Sequence, residues 1–133
     1  MISANLKKAA AVLQKHALQY PQTVEEFPWG HSAIKVKGKI FLSTYFCDKE
    51  NYLNLSVKLP VSGSAALTLP FASPTRYGLG PSGWVTARFD AGDKVPIDMI
   101  KEWIDESFRA VAPKKLVASL EGAEEKPAKR RGK

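Results

Sequence analysis

Apolar residues recur at helical spacing near the start of the chain. Leu6, Ala10, Leu13, Ala17 and Tyr20 fall on one face of a helix expected over residues 3–20, with Lys7, Lys8 and Lys15 elsewhere on it. Ser3 suits the N-cap and Pro21 stops the helix. Thr23-Val24-Glu25-Glu26 has the form of a capping box, and Pro28 leaves it room for about one turn. The period then changes to two. Residues 31–37 alternate, Ile34 and Val36 against Lys35 and Lys37. Residues 39–46 follow across Gly38, the only turn residue between the two runs, so a tight hairpin is expected. After the polar link Asp48-Lys49-Glu50-Asn51, residues 52–59 alternate cleanly. Leu53, Leu55, Val57 and Leu59 face inward, and Asn54, Ser56 and Lys58 outward.

Residues 60–69 are ambiguous: Ser62 or Ser64 can cap a short helix that Pro70 closes. A short strand is expected over residues 76–79 and a longer one over 84–89. In the latter, Val85, Ala87 and Phe89 point inward and Trp84, Thr86 and Arg88 outward. Asp90-Ala91-Gly92-Asp93 is a turn. The clearest helix covers residues 96–112, with Pro96 at its first position, Ile97, Ile100, Ile104, Phe108 and Val111 on its apolar face, and Pro113 as its stop. The order is helix, three strands, helix, two strands, helix. Short links imply an antiparallel sheet of about five strands with the helices near 3–20 and 96–112 on one face, a two-layer α+β fold. From about Ser119 the chain turns polar and ends Lys126-Pro127-Ala128-Lys129-Arg130-Arg131-Gly132-Lys133. The expectation is a domain over residues 1–118 and a basic, disordered tail over 119–133.

The composition fits this picture. The chain has 133 residues, 44% of them hydrophobic, enough for one core without metal or disulfide staples. The single cysteine, Cys47, excludes an intramolecular disulfide. The opening Met1-Ile2-Ser3-Ala4-Asn5 lacks the charged segment and apolar run of a signal peptide. No apolar stretch approaches the roughly 20 residues of a membrane helix. A cytoplasmic monomer with no membrane partner is therefore expected. The net charge of +7 favours anionic partners, nucleic acid among them, although positive charge also serves solubility alone.

Gly78-Leu79-Gly80-Pro81-Ser82-Gly83 matches G-x-G-x-x-G, but Trp84 and its successors read as strand. A dinucleotide fingerprint needs a helix N-terminus there to hold the pyrophosphate, so the glycines are expected to form a turn between strands and to bind no cofactor. His16, His31 and Cys47 lack metal-ligand spacing, and no metal is expected. Cys47 and His31 make a nucleophile–base pair only if neighbouring strands bring them together, and nothing supplies an orienting third group. Glu25-Glu26 and Asp105-Glu106 read as solvated helix charges, not as paired acid–base carboxylates. Trp29 and Trp103 read as core or core rim. Trp84 instead shares the outward face with Arg88, while Lys35, Lys37 and Lys58 point outward from their own strands. Phe41 and Tyr45 fall opposite the apolar Ile40 and Leu42. The face away from the helices thus combines basic residues with aromatics, which suits phosphate neutralisation and base stacking. A plain solvated face is the competing reading.

Five stretches in this order resemble the MmcQ/YjbR family. They are Glu25-Glu26-Phe27-Pro28-Trp29-Gly30-His31, Lys35-Val36-Lys37-Gly38-Lys39-Ile40-Phe41 and Leu55-Ser56-Val57-Lys58-Leu59-Pro60, then Tyr77-Gly78-Leu79-Gly80-Pro81-Ser82-Gly83-Trp84-Val85, and finally the run from Trp103 to Leu116. The resemblance implies an α-β(3)-α-β(2)-α fold with a "double wing" of two β-hairpins, and a DNA-binding-like, non-enzymatic role. Cysteine-rich members exist, and this chain departs from them with its lone Cys47. The expected wings are the hairpin at Lys37-Gly38-Lys39 and the one at residues 78–83. Together with the outward face, this makes Lys35, Lys37, Lys39, Lys58, Arg76, Tyr77, Trp84, Arg88, Lys114 and Lys115 the expected nucleic-acid-binding residues, contacting DNA with little sequence specificity. The alternative is a protein- or small-ligand-binding module, since the implied fold is shared with secretion-chaperone-like proteins. An exposed sheet edge or an aromatic pocket around Trp29, Tyr77 and Trp84 would serve that role.

Overall fold

The computed structural model describes residues 2–28, 31–75 and 82–125. Helix α1 (Ala4–Ala17) leads into strands β1 (Thr23–Glu26), β2 (Ser32–Val36), β3 (Lys39–Cys47) and β4 (Tyr52–Lys58). A one-turn helix α2 (Gly63–Ala66), strands β5 (Ala72–Pro74) and β6 (Trp84–Asp90), and helices α3 (Ile97–Val111) and α4 (Lys114–Glu125) follow. The strands form one six-stranded sheet in the order β1-β2-β3-β4-β6-β5, and each neighbouring pair is antiparallel. Helices α1 and α3 pack against each other and on β3 and β4, as the alternation predicts. Leu6 and Leu13 of α1, Ile100, Ile104 and Phe108 of α3, and Ile34, Leu53, Leu55 and Phe89 of the strands fill the space between. Burying such a layer against one sheet face supplies most of the folding drive.

The two-residue turn between β2 and β3 forms as expected. Val36 pairs directly with Lys39, and Lys37 (φ 52°) and Gly38 (φ 81°) both take positive φ, the type I′ geometry that matches strand twist.

Elsewhere the structure departs from the pattern. The capping-box segment is strand β1, not a helical turn. Gln22 turns the chain with a φ of 59°, and the Thr23 hydroxyl bonds back to Leu18 O and Tyr20 O. Residues 23–26 then pair with β2, from Thr23↔Val36 to Glu26↔Ala33. Pairing of backbone groups along a ready sheet edge outweighs a one-turn helix. The strand before the glycine loop is Ala72–Pro74, earlier than expected. Pro74 is tolerated because β5 is an edge strand. Residues 76–79 lie outside the described residues. Strand β6 follows Gly83 directly, and residues 78–81 of the glycine loop lie outside the described residues.

Helix α4 runs on to Glu125, and Leu116, Val117 and Leu120 pack against the core from an otherwise polar segment. Residues 126–133 lie outside the described residues.

Phe41 is the sharpest correction. It is fully buried, edge-on to Phe108 at 5.3 Å, rather than outward beside Tyr45. The β2–β3 register shifts at this point: Ile34 faces Leu42 but Lys35 faces Ile40, so Phe41 is the extra residue of a β-bulge. The bulge puts Phe41 and Leu42 both inward and leaves Ile40 outward.

Candidate functional site

The bulge also shapes the sheet's open face. The β3–β4 ladder stops at Ser43↔Ser56, and the next backbone groups are bridged by α3 instead. The Ser107 hydroxyl accepts from Lys58 N at 2.9 Å and donates to Phe41 O at 2.6 Å. Where the two strands part, a groove of about 590 Å³ opens. Lys35, Lys39, Lys58 and Trp84 line it, with Ile40 at the strand gap and Ala110 and Val111 from the end of α3. Lys35 is held by Glu26 of β1 at 2.8 Å. Lys39 and Lys58 make no ion pair among the described residues. The groove thus offers two ammonium groups without an ion pair among the described residues, and an indole.

A second concavity, of about 580 Å³, continues from the first through Ser43, Ser56 and Thr75. His31, Tyr45, Tyr52, Asn54 and Arg88 bound it. The His31 ring meets Tyr45 edge-on at 4.5 Å, and Tyr45 meets Tyr52 at 6.2 Å. The Arg88 guanidinium lies 3.8 Å from the centre of the Tyr52 ring, tied to Asp90 at 3.0 Å and to Glu50 at 3.7 Å. The hydrogen bond to Asp90 further secures its charged form. Both phenols are raised above their ordinary range, Tyr45 chiefly by the charge of Cys47 beside it and Tyr52 chiefly by loss of solvent. They are therefore neutral donors at physiological pH. Hydroxyls make the floor: Ser56 bonds Thr86 at 2.8 Å, and Thr86 bonds Thr75 at 2.9 Å.

Lys35, Lys39, Lys58 and Trp84 of the expected set come together in one groove, with Arg88 at the far end of the same face. Lys37 is exposed at the hairpin tip, and Lys114 and Lys115 are exposed at the start of α4, outside both concavities. Arg76 and Tyr77 lie outside the described residues, as do Trp29 and most of the second expected wing. The expected set lacks Tyr52 and Asn54. Alternation along β4 carried the signal for Asn54, which it points outward, but nothing local marked it as more than solvated.

No hydrogen bond joins Cys47 to His31 among the described residues, and Cys47 interacts with the two tyrosines instead. No group of His, Cys, Asp or Glu side chains among the described residues could hold a metal ion. No helix among them is long and apolar enough to cross a membrane.

A family model described as YjbR matches residues 18–110, from just after α1 through nearly all of α3. No curated protein matches the chain.

Proposed function

The chain belongs to the YjbR family, and from that premise we propose that it is a non-enzymatic protein that binds DNA on the open face of its sheet with little sequence specificity. The observation that carries this reading is the single groove holding Lys35, Lys39 and Lys58 around Trp84. Lysines there neutralise phosphates, and Trp84 stacks or wedges against a base. The hairpin tip at Lys37 and Gly38 acts as one wing, reaching past the sheet to a further phosphate. Lys114, Lys115 and the basic residues after Glu125 add positive charge outside the groove. Lysine contacts to phosphate read no sequence, so discrimination between sites is small. The test is a salt titration of binding to a labelled duplex and a labelled single strand. Affinity should fall with salt, with a slope that Lys39→Glu reduces by about 0.9 on duplex DNA. Failure to bind either probe at low salt overturns the reading.

A second reading, capture of an extended polypeptide, is favoured by β1. Val24 on this edge strand is 53% exposed and Phe27 just beyond it 64% exposed, and the strand's outer side pairs with no other strand among the described residues. Saturable binding of unfolded peptide that Val24→Lys abolishes would support it.

A further inference from the structure

Every second residue along β4 faces the open side of the sheet, so Tyr52, Asn54, Ser56 and Lys58 form a line from the tyrosine concavity to the lysine groove. Asn54 is central in it, paired across to Tyr45 on one side and to Arg88 on the other. Its side-chain oxygen Oδ1 is buried and accepts no hydrogen bond from the described residues. The floor hydroxyls are engaged with one another: Ser56 with Thr86, and Thr86 with Thr75. A buried acceptor without a donor is costly, and folded proteins keep few of them. Asn54 lines the concavity, so a molecule seated there can supply the missing donor once the amide turns about its terminal torsion.

The rest of the concavity limits what that molecule is. Its walls are flat groups, the Tyr45 and Tyr52 phenols and the Arg88 guanidinium, which stack on planar rings. The Arg88 charge is already matched by Asp90 and Glu50, so it offers a stacking plane more than a free cation. The uncommitted charges, Lys39 and Lys58, stand in the adjoining groove. Flat walls with one buried acceptor, next to two lysines that make no ion pair among the described residues, fit a planar ring bearing an N–H and attached to phosphates.

We infer that the concavity around Asn54 seats one unpaired nucleobase of a single strand, an exocyclic amino or ring N–H donating to Asn54 Oδ1, while the flanking phosphates lie on Lys39 and Lys58. This rests on the nucleic-acid reading and deepens it. A paired base has its edge occupied and its faces stacked, so a duplex cannot fill the concavity.

The test measures binding of the full chain to three fluorescein-labelled probes of equal length: a mixed-sequence single strand, the same strand without bases, and the duplex. The base-bearing single strand should bind about tenfold tighter than the abasic strand, and tighter than the duplex. Asn54→Leu should remove that advantage. The comparison of probes on the unaltered protein decides the matter even if the variant misfolds. Equal, salt-sensitive binding of base-bearing and abasic strands overturns the base subsite and leaves the phosphate reading standing. No binding of any probe at low salt overturns both.

Discussion

Ser107 shows how much one buried hydroxyl can hold. Fully buried on α3, it joins Phe41 O of the bulge to Lys58 N of β4, two backbone groups that the broken ladder leaves over. Ser107→Ala should strand both, costing about 1–3 kcal/mol. A urea unfolding series should show a lower midpoint with an unchanged slope. Glu106, one residue earlier, accepts from Val61 N at 2.8 Å and Ser62 N at 2.9 Å at the start of α2. Burial alone would raise its carboxyl, but the bonds from Ser62 and Val61 hold it below the usual range. His16 on α1 behaves oppositely to an ion-paired histidine. Burial lowers its pKa from the ordinary 6.5, helped by Lys101 across on α3 and opposed by Asp105. The unfolded chain therefore binds more protons just below 6.5, so the stability this residue contributes is present above that value and is lost as the pH falls through it. Urea midpoints should drop between about pH 7.5 and about pH 5.5, and His16→Gln should flatten that part of the profile.

At the scale of elements, the β2–β3 hairpin turns on two residues of opposite character. Gly38 sits at φ 81° with nothing near its absent Cβ, so Gly38→Ala meets no clash, only backbone strain of about 1–2 kcal/mol. Lys37 holds φ 52° without being glycine or asparagine. Lys37→Asn creates the favoured Asn-Gly pair of a type I′ turn and should raise the thermal midpoint. The same change removes a charge from the wing. If the wing contacts phosphate, Lys37→Asn should weaken DNA binding while stabilising the fold, a combination that no general loss of structure produces. Thermal melts and the salt titration, run on the same sample, separate the two effects.

Across the whole molecule, 20 basic residues oppose 13 acidic ones, but their placement matters more than the difference. The basic cluster after Glu125 contributes Lys126, Lys129, Arg130, Arg131 and Lys133. The folded face contributes Lys39 and Lys58 beside Trp84. Charges on the face are fixed relative to an aromatic ring, so they act together with stacking. Lys39→Glu with Lys58→Glu should reduce the salt slope on duplex DNA by about 1.8. Trp84→Ala should instead weaken single-strand binding by about 1–3 kcal/mol and leave the slope nearly unchanged. Fluorescence anisotropy across a salt series distinguishes a lost phosphate contact from a lost stack.

The parts of the fold that depend on near neighbours are legible in the chain alone. The period of two over residues 52–59 and 84–89 sets which side of β4 and β6 is buried, because alternation is a local property of an extended chain. The apolar stripe from Ile97 to Val111 likewise predicts α3, and Gly38 between two alternating runs predicts the hairpin. Even the outward placement of Lys58, Trp84 and Arg88 was legible in this way. Contacts between distant segments were not. Thr23 to Glu26 became strand because β2 offered an edge to pair with, which no local capping signal could outweigh. Helix α4 spans the boundary expected at Ser119, with Leu116, Val117 and Leu120 packed against the core. Phe41 turned inward because a bulge opposite Ile34 and Lys35 inserts one residue, which shifts the phase of the alternation between Ile40 and Leu42. That insertion also parts β3 from β4 and opens the groove. The lysines and aromatics are thus written in the chain, but their meeting in one place is a consequence of strand register, which only the folded sheet decides.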